Sequence, residues 1–430
     1  MTRSEALYRR ALKSLPGGVS RDTVLRSPHP FYASQGRGCM VTDVEGREFI
    51  DFANNMASLI HGHAFPPIID AVATQMRRGT CFTLGTEVEV EFAEHMCTRS
   101  PAFEKIRFMN SGSEAVMATV KAARAFTGRP KIAKVEGAYH GAYDYVEISQ
   151  ACGPDRWGPV DAPNPVPLAA GTPQGVADDV IVIPFNNPEA ALHLLNRHAG
   201  SIAGVLVDPI PHRVGLIPAE QAFIQGLRDW TRAHGALLLF DEVITFRTEV
   251  GGAQTRYGVE PDLTALGKAI GGGFPIGAVA GSDDVMAVFA AGERGLRLPQ
   301  SGTFSANPIT MTAGLAAMQH FDGAAVERLN RLGDQARTAI SEAIEASAVP
   351  ACVTGAGSMF RIHLQAEAPR NYREAFAGVP GKKQLAVFVD AMFDAGIMLT
   401  NTGTGMLSTV MTSAQIDRLA GAVLTSLRSP

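Results

Sequence analysis

Short apolar segments without a clear polar face recur through the middle of the chain, and helical patterns separate many of them. A strand that is buried on both faces has a continuous apolar run, and helices between such strands are typical of a largely parallel sheet. The pattern therefore predicts an α/β fold with a mixed, mostly parallel sheet. The predicted strands are residues 106–109, 131–135, 202–207, 236–240, 263–266 and 276–280.

The two ends of the chain have different patterns. Leu7, Ala11 and Leu15 recur at helical spacing before Pro16, and residues 41–52 alternate across a Glu-Gly turn, which predicts a helix and then a β-hairpin. After residue 308, helical patterns (309–320, 325–347, 384–395, 414–427) flank short strands near 359–364, 397–399 and 407–410. We expect residues 1–55 to belong to a small lobe, 56–314 to form a large domain, and 315–430 to form a C-terminal α+β domain.

Composition excludes several classes of protein. The formal net charge is −4 and no basic block occurs, which argues against a nucleic-acid partner. No apolar run approaches the length of a membrane span, and the N-terminus lacks the apolar segment of a signal peptide. The five cysteines are scattered and form no CxxC pair, so neither a disulfide framework nor a metal site is expected. We expect a cytoplasmic protein that binds no membrane.

Lys268 follows the predicted strand 263–266 and is the only lysine between Lys134 and Lys382. A desolvated lysine has a lowered pKa, so its amine becomes a nucleophile that can form a Schiff base with an aldehyde. A lysine at a strand end can also extend its ammonium group to solvent while its stem stays on apolar surface. This stretch alone does not decide between the two interpretations.

Other polar residues follow other predicted strands, at the edge where open α/β sheets bind ligands. Residues 110–114 (NSGSE) open a helix and suit a phosphate, although Ser111 and Glu114 also have the spacing of a capping box. Two glycines flank the pair Tyr139-His140, and Tyr139 is either an aromatic face for a ligand or a core residue. Asp241 and Glu242 end a buried strand, where an acid is costly without a cationic partner such as a protonated ring nitrogen.

A phosphate seat, an aromatic ring, a buried acid and an isolated lysine are together the set that pyridoxal 5′-phosphate requires. The chain also resembles the class III aminotransferases of fold type I, in the branch with glutamate-1-semialdehyde aminomutase and the β-amino-acid (β-phenylalanine) aminotransferases. The matching stretches are NSGSEAVMATVKAARAFTGRPKIAKVEGAYHG (110–141), GALLLFDEVITFR (235–247), GVEPDLTALGKAIGGGFPIGAVAG (258–281) and SGTFSANPITMTAG (301–314).

The resemblance implies a role for each matching residue. Lys268 is the Schiff-base lysine and the acid/base, and Asp241 pairs with the pyridine nitrogen. Val243 packs beneath the ring and Tyr139 stacks on its other face. The remaining roles are phosphate binding by Ser111, Gly112 and Ser113, contact with the neighbouring subunit's phosphate by Thr303, and binding of the substrate carboxylate by Arg21. The role of Thr303 implies a homodimer with shared active sites.

Departures from the family pattern favour a transaminase with a ping-pong mechanism over a mutase. Asp208-Pro209 replaces the usual Glu-Pro, and loop 244–247 is one residue shorter than in the aminomutase. The aminomutase has a serine-bearing glycine loop and a glutamate in the regions that correspond to residues 149–153 and 400–405. This chain has no matching acid there. An intramolecular aminomutase and a non-catalytic binding protein remain as alternatives. We expect a β-amino acid or a related carboxylated amine as donor and a keto acid or aldehyde as acceptor. No second arginine for a dicarboxylate is obvious from the C-terminal loop; Arg247 or Arg297 could serve, although a solvated arginine is the favoured interpretation of each.

Overall fold

The computed structural model describes residues 1–292 and 295–428. Residues 293 and 294 of the predicted large domain, and residues 429 and 430 of the predicted C-terminal domain, lie outside the described residues. Within the described part of the chain, no helix is long and apolar enough to cross a membrane.

A seven-stranded sheet occupies the centre of the molecule. In chain order its strands are β1 (Lys105–Met109), β2 (Lys131–Val135), β3 (Val180–Ile183), β4 (Ile202–Val207), β5 (Leu237–Asp241), β6 (Leu263–Gly267) and β7 (Gly277–Gly281). Their order across the sheet is β1-β7-β6-β5-β4-β2-β3. Strand β7 is antiparallel to β1 and β6, and the other pairs are parallel. The prediction of a mixed, mostly parallel sheet is therefore confirmed.

The apolar runs form central strands because both faces of the sheet are covered. All residues of β4, β5, β6 and β7 are buried, as expected for strands with helices on both sides. The longer helices are Arg3–Ala11, Pro66–Met76, Glu87–Cys97, Gly112–Thr127, Pro188–Asn196, Gln221–His234, Pro308–His320, Gly323–Ser347, Gly378–Asp394 and Ser413–Arg428. Shorter helical segments are Asn54–Ala57, Asp144–Glu147, Gln174–Asp178, Gln254–Tyr257 and Asp283–Met286.

Both ends of the chain contribute to one smaller sheet. Ala33–Arg37, Met40–Asp43 and Glu48–Asp51 are antiparallel neighbours, and Ile397–Met398 adds in parallel to the last of them. A three-stranded sheet contains Cys352–Thr354, Met359–His363 and Thr404–Met406, and a short ribbon pairs Ala291–Gly292 with Gly295–Leu296. The expected smaller lobe from both termini is present.

Several predicted elements were wrong in position. The apolar run 407–410 is not a strand; the paired residues are Thr404–Met406, whose glycine and threonine hid the strand pattern. Leu15 lies outside the first helix, which ends at Ala11. Strands β3 and Ala33–Arg37 were not predicted. The helix predicted from residue 384 begins at Gly378, since a proline in the first turn does not stop a helix.

The register of the sheet brings distant residues together. Asp241 at the end of β5 pairs with Ala265 of β6, and Val207 at the end of β4 pairs with Phe240. The segments that follow these strands therefore leave the same edge of the sheet. As a result Asp208, Asp241 and Lys268 meet at one site.

Candidate active site

A cavity of about 570 Å³ lies at the carboxyl edge of the central sheet. It is lined by every residue that the resemblance assigns to the site except Thr303, together with several residues that were given no role. The predicted residues in its wall are Arg21, Ser111, Gly112, Ser113, Tyr139, Asp241, Val243 and Lys268, and the additional ones include Asn55, Met56, His140 and Asp208. The residues named from separate stretches of sequence thus face one space.

Thr303 does not line this cavity of its own chain. It is exposed and lies in the turn before helix Pro308–His320. Its contact with a neighbouring subunit's phosphate stays a prediction.

Lys268 directly follows β6 and adopts a left-handed backbone conformation, with φ of 48°. Burial lowers the pKa of its amine, and the negative charges of Asp241 and Asp208 oppose that shift. A larger fraction of the amine is consequently neutral at physiological pH than for an exposed lysine. The side chain can therefore act as a nucleophile and as a base.

Asp241 is held by two hydrogen bonds. Its Oδ1 accepts from the backbone N–H of Val243 at 3.0 Å, and its Oδ2 lies 2.7 Å from Nδ1 of His140. Burial lowers the pKa of His140, while the hydrogen bond and charge of Asp241 act in the opposite direction. The sequence gives no signal for this role of His140, since nothing in it pairs residue 140 with residue 241.

Asp208 and Glu242 have different surroundings from Asp241. Burial, followed by the charge of Asp241, raises the pKa of Asp208 well above its usual value. Burial also raises the pKa of Glu242 to about 8, and its Oε1 accepts from the N–H of Gln254 at 2.9 Å, outside the cavity. Asp241 is therefore the acid of the DE pair that faces the cavity.

The N-terminus of helix Gly112–Thr127 forms another part of the wall. Ser111 Oγ accepts from the N–H of Glu114 at 3.1 Å, and Glu114 Oε2 accepts from the N–H of Asn110 at 2.8 Å. This is a capping-box type of arrangement, while the N–H groups of Gly112 and Ser113 have no acceptor within the helix. Helix capping and anion binding are therefore compatible here.

Glycine is required at position 112 by close packing. A Cβ atom there would lie 2.8 Å from Cγ1 of Val243, which also lines the cavity. Ser113 Oγ accepts from the N–H of Ala142 at 3.1 Å and so ties the helix start to the segment that carries Tyr139. The wall is fixed around a space that a planar phosphorylated group would fit.

Tyr139 contacts two residues that sequence analysis did not name. The ring of His212 meets it edge to face at 5.7 Å between centroids, and the guanidinium carbon of Arg213 lies 4.8 Å from its ring centre. Burial and the nearby charge of Lys268 lower the pKa of His212 well below its usual value, so its ring is neutral. These contacts restrict the orientation of the Tyr139 ring.

Arg21 reaches the cavity and donates from Nη1 to Oδ1 of Asn55 at 2.8 Å. The two other candidate arginines do not line it. Arg247 is fully buried and donates to Ser358 Oγ and the carbonyl of Leu407, and Arg297 is exposed and donates to the carbonyl of Ala125. The suggestion that either binds a second substrate carboxylate is wrong for this cavity.

These residues fit pyridoxal 5′-phosphate. Lys268 can meet an aldehyde, Asp241 a protonated ring nitrogen, and the helix N-terminus a phosphate. Nε2 of His140 is buried without a partner among the described residues, as expected beside a ligand group. The donor set and the close-packed glycine therefore agree with the group that the sequence implied.

Comparisons with known proteins agree with this assignment. The family model described as Aminotransferase class-III matches residues 24–427. Glutamate-1-semialdehyde 2,1-aminomutase of Methanothermobacter thermautotrophicus is 42% identical over 375 residues, which are 87% of this chain and 86% of that protein.

Two solved structures are also similar over nearly the whole chain. An omega-transaminase from Sphaerobacter thermophilus is 44% identical with a TM-score of 0.97, covering 99% of this chain and 97% of that one. A β-phenylalanine aminotransferase from Variovorax paradoxus is 32% identical with a TM-score of 0.87, covering 98% of this chain and 93% of that one.

Proposed function

The chain belongs to the class-III aminotransferase family, whose cofactor is pyridoxal 5′-phosphate, and we propose that it is a transaminase for carboxylated amines such as β-amino acids. The acceptor is a keto acid or an aldehyde, in a ping-pong cycle that releases the donor's carbonyl product before the acceptor binds. The observation that carries this proposal is the presence of Arg21 in the same cavity as Lys268 and Asp241. A guanidinium fork suits a carboxylate, and the amine and acid suit the cofactor.

When bound, pyridoxal 5′-phosphate supplies an aldehyde carbon for the amine of Lys268 and a ring that delocalises the electrons left when a substrate C–H bond loses its proton. The carboxylate of Asp241 would hold a proton on the ring nitrogen of the bound cofactor. His140 and the N–H of Val243 fix the direction of that carboxylate.

Lys268 is the residue that moves protons in this proposal. Its lowered pKa leaves an unprotonated amine able to take the proton from the substrate carbon bearing the nitrogen. Asp208 also lines the cavity, and its burial, followed by the charge of Asp241, raises its pKa well above the usual value.

A second candidate is intramolecular amino transfer on glutamate 1-semialdehyde. The 42% identity to the aminomutase of Methanothermobacter thermautotrophicus supports it. The TM-score of 0.97 to the omega-transaminase, together with the missing aminomutase acid in residues 400–405, favours transamination.

We also infer a homodimer in the cytoplasm. The exposed position of Thr303 outside its own cavity supports a contact with a neighbouring subunit's phosphate. All five cysteines are free, which fits a reducing compartment.

A panel of donors tests the proposal. The purified holoenzyme is given β-amino acids, α-amino acids and uncharged amines, each with pyruvate or 2-oxoglutarate, and separately glutamate 1-semialdehyde without a keto acid. We expect keto-acid-dependent turnover that is fastest with carboxylated amines. Turnover of the semialdehyde alone, with no activity on the panel, would establish the mutase instead.

A further inference from the structure

Residues Asn54–Ala57 form a left-handed turn made entirely of non-glycine residues. Their φ values are 46°, 43°, 57° and 73°. L-amino acids enter this region as single residues and rarely as a run, because Cβ crowds the following carbonyl oxygen. Strain of this kind persists only where the surroundings impose it, and it concentrates at functional sites.

Buried contacts hold the base of this turn. The backbone N–H of Asn54 donates to Oδ1 of Asp51 at 2.8 Å, and its Nδ2 donates to the carbonyl of Met406 at 2.6 Å. Asp51 and Asn54 are both buried. The next residues, Asn55 and Met56, line the cavity. The strained backbone therefore presents two side chains to the site.

The amide of Asn55 is fixed at both ends. Its Nδ2 donates to Ser58 Oγ at 3.1 Å. This bond directs Oδ1 of Asn55 towards Arg21, and Arg21 Nη1 donates to that oxygen at 2.8 Å. No carboxylate of the described chain pairs with Arg21. Arg21 thus keeps its full charge and most of its five N–H donors while one hydrogen bond restrains it.

We propose that Asn55 is a positioning residue that holds Arg21 for the substrate carboxylate, and that its uncharged amide is essential to this task. The inference rests on the proposed function, in which Arg21 recognises that carboxylate. An acid at position 55 would take the bidentate place on the guanidinium that a substrate needs. Asparagine also tolerates the left-handed conformation better than most residues, so it meets both requirements of the position.

Two substitutions of Asn55 in the holoenzyme separate charge from orientation. Asn55→Asp keeps the size of the side chain and pairs with Arg21, whereas Asn55→Gly keeps the left-handed turn and releases Arg21. Binding of 3-phenylpropanoate, a carboxylate without an amine, is measured by calorimetry, alongside KM for β-phenylalanine and for 1-phenylethylamine.

We expect Asn55→Asp to weaken 3-phenylpropanoate binding and raise the KM for β-phenylalanine by about tenfold or more, since one charge-assisted pair is lost. The KM for 1-phenylethylamine should change less than about twofold, because that amine has no carboxylate to pair with Arg21. Asn55→Gly should have a smaller effect in the same direction. Unchanged carboxylate binding in both variants would overturn the positioning role, as would equal losses for the carboxylate and the uncharged amine.

Arg21→Gln distinguishes this failure from failure of the proposed function. If Arg21→Gln weakens the carboxylate and the Asn55 variants do not, Arg21 acts without help from Asn55. If Arg21→Gln also binds the carboxylate normally, the substrate class itself is wrong. The yellow absorbance of the bound cofactor shows whether each variant is loaded, and the thermal unfolding midpoint shows whether it is folded. If Asn55→Asp fails either check, the test of the positioning role uses Asn55→Gly alone.

Discussion

The Nδ1 atom of His140 lies 2.7 Å from Oδ2 of Asp241, and both side chains are buried. Because burial lowers the pKa of His140, its ring is neutral and donates the Nδ1 hydrogen to Asp241. The carboxylate thereby gains a fixed direction without losing its charge. In the proposed function, this pair orients the carboxylate that would face the ring nitrogen of the cofactor.

Replacing His140 with leucine should weaken binding of pyridoxal 5′-phosphate. A hydrogen bond to a charged group contributes about 1.5–3 kcal/mol, so we expect a loss of about ten- to hundredfold in affinity. His140→Asn is the matched control, since its amide N–H can replace Nδ1–H, and it should retain most of the affinity. Titration of the apoprotein, followed by absorbance, measures both; wild-type affinity in His140→Leu would contradict this role.

Gly112→Ala should weaken binding of the cofactor. The added Cβ would lie 2.8 Å from Cγ1 of Val243, and overpacking of this kind costs about 1–3 kcal/mol. Gly421→Ala, in helix Ser413–Arg428, places its Cβ in open space at a position without a positive φ and serves as the control. Cofactor affinity should fall in the first variant only. Equal cofactor affinities in the two variants would show that the close contact between Gly112 and Val243 does not affect cofactor binding.

Ala348→Gly should stabilise the protein. Ala348 follows helix Gly323–Ser347 with φ of 58°, a conformation that glycine adopts without steric cost. We expect a gain of about 1 kcal/mol in the free energy of unfolding. Gly128 occupies the equivalent position after helix Gly112–Thr127, with φ of 71°. The reverse change, Gly128→Ala, should therefore lower the free energy of unfolding by a similar amount. Denaturant unfolding provides both values, and a loss in Ala348→Gly would contradict the argument.

Lys134 should make stability depend on pH. Its ammonium group is fully buried and donates to the carbonyls of Val135, Ala138 and Ile148, and burial lowers its pKa to about 7 from 10.5. Between these two pKa values the unfolded chain binds a proton that the folded chain has released. Stability attributable to Lys134 therefore rises with pH across this window, by at most about 1.4 kcal/mol per pH unit.

Comparison with Lys134→Met isolates this contribution. Unfolding free energies of both proteins are measured from pH 6 to about 10.5, the ordinary lysine value. The difference between wild type and variant should grow in favour of wild type above pH 7 and be constant below it. A difference that is independent of pH would show that Lys134 keeps its proton throughout.

The sequence was sufficient for six of the seven strands of the central sheet, because strands such as Ile202–Val207 are apolar on both faces and buried. The short edge strand β3 (Val180–Ile183) was missed. The sequence also failed for Thr404–Met406, where glycine and threonine carry no strand pattern and pairing with Met359–His363 decides the structure. Local pattern therefore predicts an element only where burial, rather than a pairing partner, determines it.

The same distinction applies to the site. The sequence led to two residues that the structure places in one cavity, Lys268 and Asp241, because a charge at the end of a buried strand is costly without a partner. The partner of Asp241 and the surroundings of Tyr139 depend on contacts between segments far apart in sequence, namely His140, His212 and Arg213. Neither residue type nor spacing encodes those contacts.

The measurement that tests the central claim most directly is the location of the cofactor linkage. Purified protein is loaded with pyridoxal 5′-phosphate, treated with borohydride to make the lysine linkage permanent, and digested for peptide mass spectrometry. The account predicts the pyridoxyl group on Lys268 and no labelling of that peptide in Lys268→Ala. A linkage on another lysine, or no linkage in fully loaded protein, would contradict it.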